Sequence, residues 1–538
     1  MSEPRYDALI IGAGFSGLYM LHKLRELGLS VIAVEAGENI GGTWLFNRYP
    51  GARCDIESIE YSYSFSEEIE QEWVWTETMP AQPEIEAYLH FVADKLDLRR
   101  DIRLNTRVTA MAFDAADAGW RIDTDTGVRF TASYVVAASG ILSVPLEPDL
   151  PGMDAFDGAS LFTGSWPKAG YDLTGKRVGV IGTGSSGVQL IPVVAREAAH
   201  LTVFQRSAAY TLPWEVRPLE ADELKTLKAS YPEIRAAQRE HPVGAARLNA
   251  FSVLLDTLSQ PPIKSASRAE QLRAIDEHGV MGALAWGDIF FDIEANRMAA
   301  RLYGEAIARI VKDPATAAAL VPTHPFGCKR PIIDQGYYET FNRDNVTLVD
   351  LRAGAIRAIT PTGISTEQGD YGLDVIIYAT GFDAMTGALT RIDITGRDGA
   401  DLRQIWQDEG PAAYLGLAVA GFPNLFIIQA PGSPSATTNF VAALEQHVEW
   451  IGDCITYLRA NGQRTIEARP EAQQEWIEHT TSLVEPTVLA HPSCNSWYNG
   501  GNVPGKKRRY MAYNAGIPEY RRRCDEVAAT GYPGFDLA

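Results

Sequence analysis

Two glycine-rich turns in this chain have the spacing that lets a backbone wrap a dinucleotide pyrophosphate. The first is Gly12-Ala13-Gly14-Phe15-Ser16-Gly17 and the second is Gly182-Thr183-Gly184-Ser185-Ser186-Gly187. Glycines there allow a tight bend and bring backbone N–H groups close to phosphate at a helix start. The next strand ends differently in the two cases. The apolar run Val31-Ile32-Ala33-Val34 ends at Glu35, whereas Leu201-Thr202-Val203-Phe204 ends in Gln205-Arg206-Ser207. A carboxylate at that place accepts hydrogen bonds from a free ribose diol, and an arginine pairs with a ribose phosphate. The pattern calls for two dinucleotides, one bare at its 2′ position and one phosphorylated there.

FAD and NADPH are the natural pair. Either fingerprint alone is weak, because glycines also serve ordinary turns. Here each comes after an apolar run, residues 8–11 and 178–181, and the first precedes a helix-like stretch, 18–27, that Gly28 can stop. The expected fold is α/β, with two Rossmann-like dinucleotide-binding domains. The NADP domain is nested in the FAD domain, with a helical insert. The bounds read as 1–142 and 378–538 for the FAD domain, 150–213 and 325–377 for the NADP domain, and 214–324 for the insert. A linker with Pro145, Pro148, Pro151 and Gly152 separates the first unit from the second. Within the insert, Met298, Leu302, Tyr303, Ala306, Ile307, Ile310 and Val311 form a one-sided helical stripe over 296–312, stopped by Asp313-Pro314.

Composition removes several classes. A net charge of −20 argues against nucleic acid and against an anionic membrane surface. The five cysteines (Cys54, Cys328, Cys454, Cys494, Cys524) are far apart and contain no C-x-x-C pair, so no zinc finger, thioredoxin-like motif or disulfide framework is expected. The nine histidines lack ligand spacing, and no metal is expected. A redox enzyme without metal draws its electron chemistry from an organic cofactor. No signal-like segment precedes the first strand and no apolar run is long enough to span a bilayer, so a cytoplasmic protein without membrane insertion is expected, monomeric or weakly homo-oligomeric.

Further stretches carry a family resemblance. Residues 156–167, Phe-Asp-Gly-Ala-Ser-Leu-Phe-Thr-Gly-Ser-Trp-Pro, resemble the F-x-G-x-x-x-H-x-x-x-W-P signature of type I Baeyer–Villiger monooxygenases. Gly41-Gly42-Thr43-Trp44, Tyr49-Pro50-Gly51, Arg53, Asp55, Phe326-Gly327, Lys329-Arg330 and Ala379-Thr380-Gly381-Phe382-Asp383 match as well. So do Ser496-Trp497-Tyr498 and Asn502-Val503-Pro504-Gly505-Lys506, and Gly432-Ser433-Pro434-Ser435 before Asn439 is similar to the phenylacetone monooxygenase branch. The departure is Phe162, where the signature has histidine.

The resemblance implies NADPH- and O2-dependent oxidation of a ketone to an ester or lactone through a flavin C4a-peroxide. The alternative is a flavin monooxygenase acting on nitrogen or sulfur. A disulfide reductase of similar fold would need a redox cysteine pair at C-x-x-C or C-x4-C spacing. By the same resemblance Arg330 is the permanent cation beside the peroxide anion. Asp55 either orients Arg330 or caps a helix beginning near Ile56. Lys329, Arg206 and Ser207 would hold the 2′-phosphate, and Trp497 would reach the nicotinamide-side ribose or serve as an ordinary core aromatic. Gly12, Gly14, Gly17, Glu35, Gly42, Thr43, Trp44 and Asp55 fall to FAD, and Gly182, Gly184 and Gly187 to NADPH. Ala436, Thr437, Thr438 and Phe440 line a substrate pocket or form a plain surface turn.

Overall fold

The computed structural model describes residues 4–247, 255 and 257–538. The parts of the expected FAD domain at 1–3 and of the insert at 248–254 and 256 lie outside the described residues.

The first sheet is built on β1 (Arg5–Ile11), flanked by β2 (Val31–Val34) with β3 (Ile102–Arg103) outside it, and on the other side by β6 (Arg129–Ala137). These neighbours pair in parallel. An antiparallel meander, β4 (Val108–Asp114) and β5 (Gly119–Thr124), extends one edge. Two strands from the far end of the sequence complete it: Asp393–Thr395 joins β4 and Leu425–Ile427 joins β6. Residues 8–11 are buried throughout, as expected for a parallel strand covered on both faces. Helix α1 (Phe15–Glu26) comes directly after the first glycine turn and gives way at Gly28, whose φ of +71° favours glycine.

The second sheet is wholly parallel. Its order is Val346–Asp350, β9 (His200–Gln205), β8 (Arg177–Ile181), Val375–Tyr378 and β7 (Ala159–Phe162). The strand at 375–378 lies nearly two hundred residues after β8 yet pairs with it directly, so the second sheet is nested inside the first in chain order. Two crossings join the sheets, and they zip together. Leu146 N–H donates to the Gly381 carbonyl (2.8 Å), Asp383 N–H to Val144 (2.9 Å) and Met385 N–H to Ile141 (2.9 Å).

Between the halves of the second sheet the described insert is helical: Ala221–Ala229, Tyr231–Glu240, Arg268–Leu284, Ile293–Ile310 and Pro314–Ala319. The expected stripe is present, with Leu302, Tyr303, Ala306, Ile307 and Val311 buried in the core beneath the second sheet. The helix ends at Ile310, two residues earlier than read from sequence. Asp313 does not stop it but caps the next helix by accepting from Thr316 N–H. Among the described residues no helix is long and apolar enough to cross a membrane.

One sequence expectation is overturned. Cys328 and Cys494 form a disulfide across 166 residues, with Cα atoms 5.3 Å apart. Their separation hid the pairing, because only the packed fold brings 326–330 beside 491–497. Cys54, Cys454 and Cys524 are free and buried.

Candidate active site

The two glycine turns share one construction. Gly12 takes φ +106°, and a Cβ there would sit 2.5 Å from the Ala138 carbonyl oxygen; Gly182 takes φ +111°, with 2.4 Å to that of Ala379. Each turn thus presses on the end of a neighbouring strand, β6 in the first sheet and the strand at 375–378 in the second. A Cβ on Gly17 would lie 2.0 Å from the Gly12 carbonyl oxygen, and one on Gly187 would lie 2.3 Å from that of Gly182. Both positions therefore exclude any side chain. The helices after them, α1 and Ser185–Glu197, start at Gly14 and Gly184 with no side-chain cap, so their first N–H groups remain for a ligand's phosphates.

Glu35 is buried at the end of β2. Its carboxylate accepts from Ala13 N–H (2.8 Å) and Gly37 N–H (2.7 Å), one oxygen each. A carboxylate has about four acceptor directions, so it can also take a ribose diol. Gly41 N–H donates to the Ala13 carbonyl, and a Cβ added to Gly14 would lie 3.3 Å from the Gly42 Cα. Thr43 begins a one-turn helix, Thr43–Phe46, and Trp44 is buried with its indole N–H on the Tyr61 hydroxyl (3.2 Å).

At the second turn Gly184 and Ser185 are exposed, and a Cβ on Gly184 would meet nothing within 4 Å. Thr183 Oγ1 donates to the Ser207 carbonyl (2.8 Å), which fixes the strand end that carries Arg206. Lys329 comes to the same place. Burial first, and then the Arg206 charge, lower its ammonium pKa. His324, beside it, is pushed down to about 3 by burial and then by Lys329. Cations gathered this way fit an anionic group of the ligand.

Arg330 is the next residue. Its Nε donates to Asp55 Oδ2 (2.7 Å) and its Nη2 to Asp55 Oδ1 (2.5 Å), a planar fork on a carboxylate. Their side chains are only 14% and 21% exposed. Burial works against the guanidinium charge, yet Asp55 outweighs it and the pKa is raised, so Arg330 stays cationic. Residue 55 lies in a bend, with no helix beginning at 56, so Asp55 is not a helix cap and the orienting reading stands. The segment holding Asp55 bridges both sheets. Tyr49 OH donates to Gln189 Oε1 (2.8 Å) on the helix Ser185–Glu197, and Gln189 Nε2 donates back to the Arg53 carbonyl (3.0 Å).

Nη1 of Arg330 donates to the Ala436 carbonyl (3.3 Å). Ala436 and Thr438 are buried and Thr437 is partly so, which removes the reading of a plain surface turn. Asn439 caps the long helix Phe440–Ala460, so Phe440 stands at that helix's first position. Trp497 is half-buried against Ile141, Ala384, Met385 and Met511, at the crossing between sheets. Asn502 and Lys506 bind the same crossing, through the Phe382 carbonyl (2.8 Å) and Asp383 Oδ1 (2.7 Å).

Sequence reasoning missed three neighbours. Tyr498 is buried beside Arg330 and feels its charge. Thr437 Oγ1 and the Tyr510 hydroxyl both reach Asn514 Oδ1 at 3.4 Å. Tyr498 was legible as part of the Ser496-Trp497-Tyr498 motif; Tyr510 and Asn514 carried no signal.

Phe162 fills the histidine place on the edge strand β7. Its ring stacks on Tyr378, centroids 4.7 Å apart and planes 17° from parallel, and pairs with it in register.

Two dinucleotide sheets meeting at a partly buried arginine–carboxylate pair define a two-dinucleotide oxidoreductase with a cationic centre. Residues 9–247 match the family described as pyridine nucleotide-disulphide oxidoreductase. Over 540 residues the chain is 39% identical to cyclohexanone 1,2-monooxygenase of Acinetobacter sp, covering 99% of this chain and 96% of that protein. It is also 39% identical to a phenazine N-monooxygenase of Lysobacter antibioticus, over 99% of this chain and 97% of that one. A solved oxidized steroid monooxygenase bound to NADP superimposes with a TM-score of 0.90 at 44% identity, covering 99% of both chains. The chain belongs to the Baeyer–Villiger monooxygenase family of flavoproteins.

Proposed function

We propose that this chain is an FAD-containing, NADPH- and O2-dependent Baeyer–Villiger monooxygenase that converts ketones to esters or lactones. The observation that carries the reading is the partly buried Arg330–Asp55 fork, held where loop 436–439 and the bridging segment 49–55 meet. The residues fit both cofactors: two glycine turns open onto helix starts without a side-chain cap, one beside a buried carboxylate and one beside converging cations.

Gly12, Gly14, Gly17, Glu35, Gly42, Thr43, Trp44 and Asp55 hold FAD, within a domain spanning 1–142 and 378–538. Gly182, Gly184, Gly187, Arg206, Ser207 and Lys329 hold NADPH, within 150–213 and 325–377, and Trp497 reaches the coenzyme from the crossing. Bound flavin, once reduced, would supply the electrons that activate O2, and O2 supplies the oxygen atom inserted beside the carbonyl. Arg330 holds a fixed positive charge where negative charge develops on oxygen. Being a permanent cation, it stabilises that charge without trading a proton. Asp55 sets the plane of the guanidinium and offsets part of its desolvation. Ala436, Thr437, Thr438 and Phe440 wall the ketone's side and keep water from the cation, where a dry surrounding strengthens its pull. The enzyme works in the cytoplasm as a monomer or weak homo-oligomer.

The test is turnover of the FAD-loaded enzyme with NADPH and 18O2 over a panel of linear and cyclic ketones and one aromatic amine. Ester or lactone carrying one 18O is the expected product. NADPH consumption without any ester, together with oxygen gained at the amine nitrogen, would replace this reading with N-oxygenation.

A further inference from the structure

We infer that the Cys328–Cys494 cross-link is a reversible clasp that positions Lys329 and Arg330 against the Trp497 loop, so that its thiol–disulfide state sets how tightly the chain holds NADP(H). The inference rests on the coenzyme-binding roles proposed above for Lys329 and Trp497.

Position is the first ground. Cys328 directly precedes Lys329 and stands two residues before Arg330, and Cys494 stands three before Trp497. One covalent bond therefore joins the segment bearing the phosphate cation and the active-site arginine to the segment bearing the coenzyme-side tryptophan. Tyr498 also lies beside Arg330, but many hydrogen bonds of the two segments run elsewhere. Those near Cys494 turn back on their own loop: Cys494 N–H to the His491 carbonyl (2.8 Å), Asn499 Nδ2 to the Cys494 carbonyl (2.7 Å) and Gly501 N–H to the Ser496 carbonyl (2.9 Å). Those around Cys328 run to Asn296, Asp55 and Ala436.

Electrostatics is the second ground. Lys329 is held close enough to Arg206 for the like charge to act on it, in a buried setting that disfavours its charge. Before the coenzyme's phosphate arrives, repulsion and desolvation both urge Lys329 outward. A covalent anchor one residue away resists that movement. Without it the 491–497 loop and the 326–330 segment gain freedom, and ordering them falls on the binding step.

Chemistry is the third. Disulfides in the proposed cytoplasmic setting face reducing thiols, and those found there are usually transient and catalytic or redox-sensing. Both sulfurs are buried, but Pro492, Ser493 and Asn495 beside Cys494 are exposed, so opening of this short loop gives access. A dithiol attacks Cys494 Sγ through one thiolate, which breaks the protein S–S bond and frees Cys328 as a thiol. The second thiol of the reductant then displaces Cys494 and leaves as a cyclic disulfide. Hydrogen peroxide reverses the change: two thiols and one H2O2 give the disulfide and two waters.

The experiment uses the full-length FAD-loaded enzyme, as purified and after treatment with a dithiol. Alkylation and peptide mass analysis report which cysteines are free, and equilibrium titration reports the Kd for NADP+. The expected result is Cys328 and Cys494 linked before treatment and free after it, with NADP+ binding about tenfold weaker and restored on reoxidation. Cys494→Ser should bind weakly and ignore the dithiol, while Cys454→Ser should behave as the parent does. A loss of thermal stability with an unchanged Kd would reduce the bond to a structural tie. Two free thiols in the untreated enzyme, or one Kd in both states, would overturn the inference. If Cys494→Ser does not fold, treatment of the parent alone decides. Because the readout is NADP+ binding, an unchanged Kd with intact ketone turnover defeats this inference alone, and a shifted Kd without ketone turnover defeats only the proposed reaction.

Discussion

The two glycine turns are near copies in backbone and opposites in surroundings. Gly12 and Gly182 bend alike and abut matching strand-end carbonyls, and Gly17 and Gly187 close in the same way on the turn's first residue. At the middle glycine the likeness ends. Gly14 faces the Gly41-Gly42 turn, which folds over it, and the nearby carboxylate of Glu35 is buried. Gly184 faces open space, and its strand-end partner Arg206 is exposed. A covered turn suits a cofactor that stays, and an open one suits a coenzyme that must bind and leave. On the proposed assignment, one backbone solution would serve two ligand lifetimes, set by what lies above the turn.

The largest effect should come from the group that belongs to neither turn. Arg330→Ala should let NADPH reduce the flavin within a few-fold of the parent rate, while ester formation falls by about a thousandfold or more, since the substitution removes the cation beside the developing anion. Stopped-flow absorbance with product analysis separates the two steps. Parental ester yield would dismiss Arg330 from oxygen chemistry.

The covered and open turns can be set against each other directly. Gly14→Val should leave the protein mostly without FAD, because its side chain must displace the Gly42 backbone. Gly184→Val has room in the protein itself, so it should keep FAD and thermal stability while NADP+ binding weakens about tenfold or more. Flavin absorbance and NADP+ titration read both variants. Equal loss of both ligands in either variant would erase the proposed contrast.

Arg206→Ala tests the other half of the contrast, the residue at the strand end. It should raise KM for NADPH roughly 10- to 100-fold, the scale of a lost charge-assisted hydrogen bond, and leave NADH nearly unchanged. Steady-state kinetics with both coenzymes decide it. A similar loss with NADH would move Arg206 off the 2′-phosphate.

The smallest effect should come from the edge strand between the regions. Phe162 packs on Tyr378, next to the crossing that joins the sheets. A hydrogen bond missing there is worth about 0.5–1.5 kcal/mol. Phe162→His should therefore shift the ester-to-NADPH ratio by a few-fold at most, from a parent that already oxygenates ketones and wastes some NADPH as hydrogen peroxide. A parent that never oxygenates, rescued by histidine, would make the imidazole a chemical requirement.

Local chemistry was legible in the sequence. The fingerprints, the strands before them, the stop at Gly28 and the opposite residues Glu35 and Arg206 are all set by neighbours within about thirty positions. Apolar periodicity and turn residues report such short-range constraints. The nested order of the sheets was legible too, because the second strand–turn–helix unit, 176–204, falls between two stretches read as one domain. Convergence was a different matter. The Arg330–Asp55 fork spans 275 residues and was available only through family likeness. The Cys328–Cys494 bond, the burial of loop 436–439, the bridge from Tyr49 to Gln189 and the approach of Thr437 to Asn514 left no mark in spacing. Residues far apart in sequence acquire a distance only when the whole core packs. Which side chains meet at the cation, and which sulfurs meet behind it, was decided there.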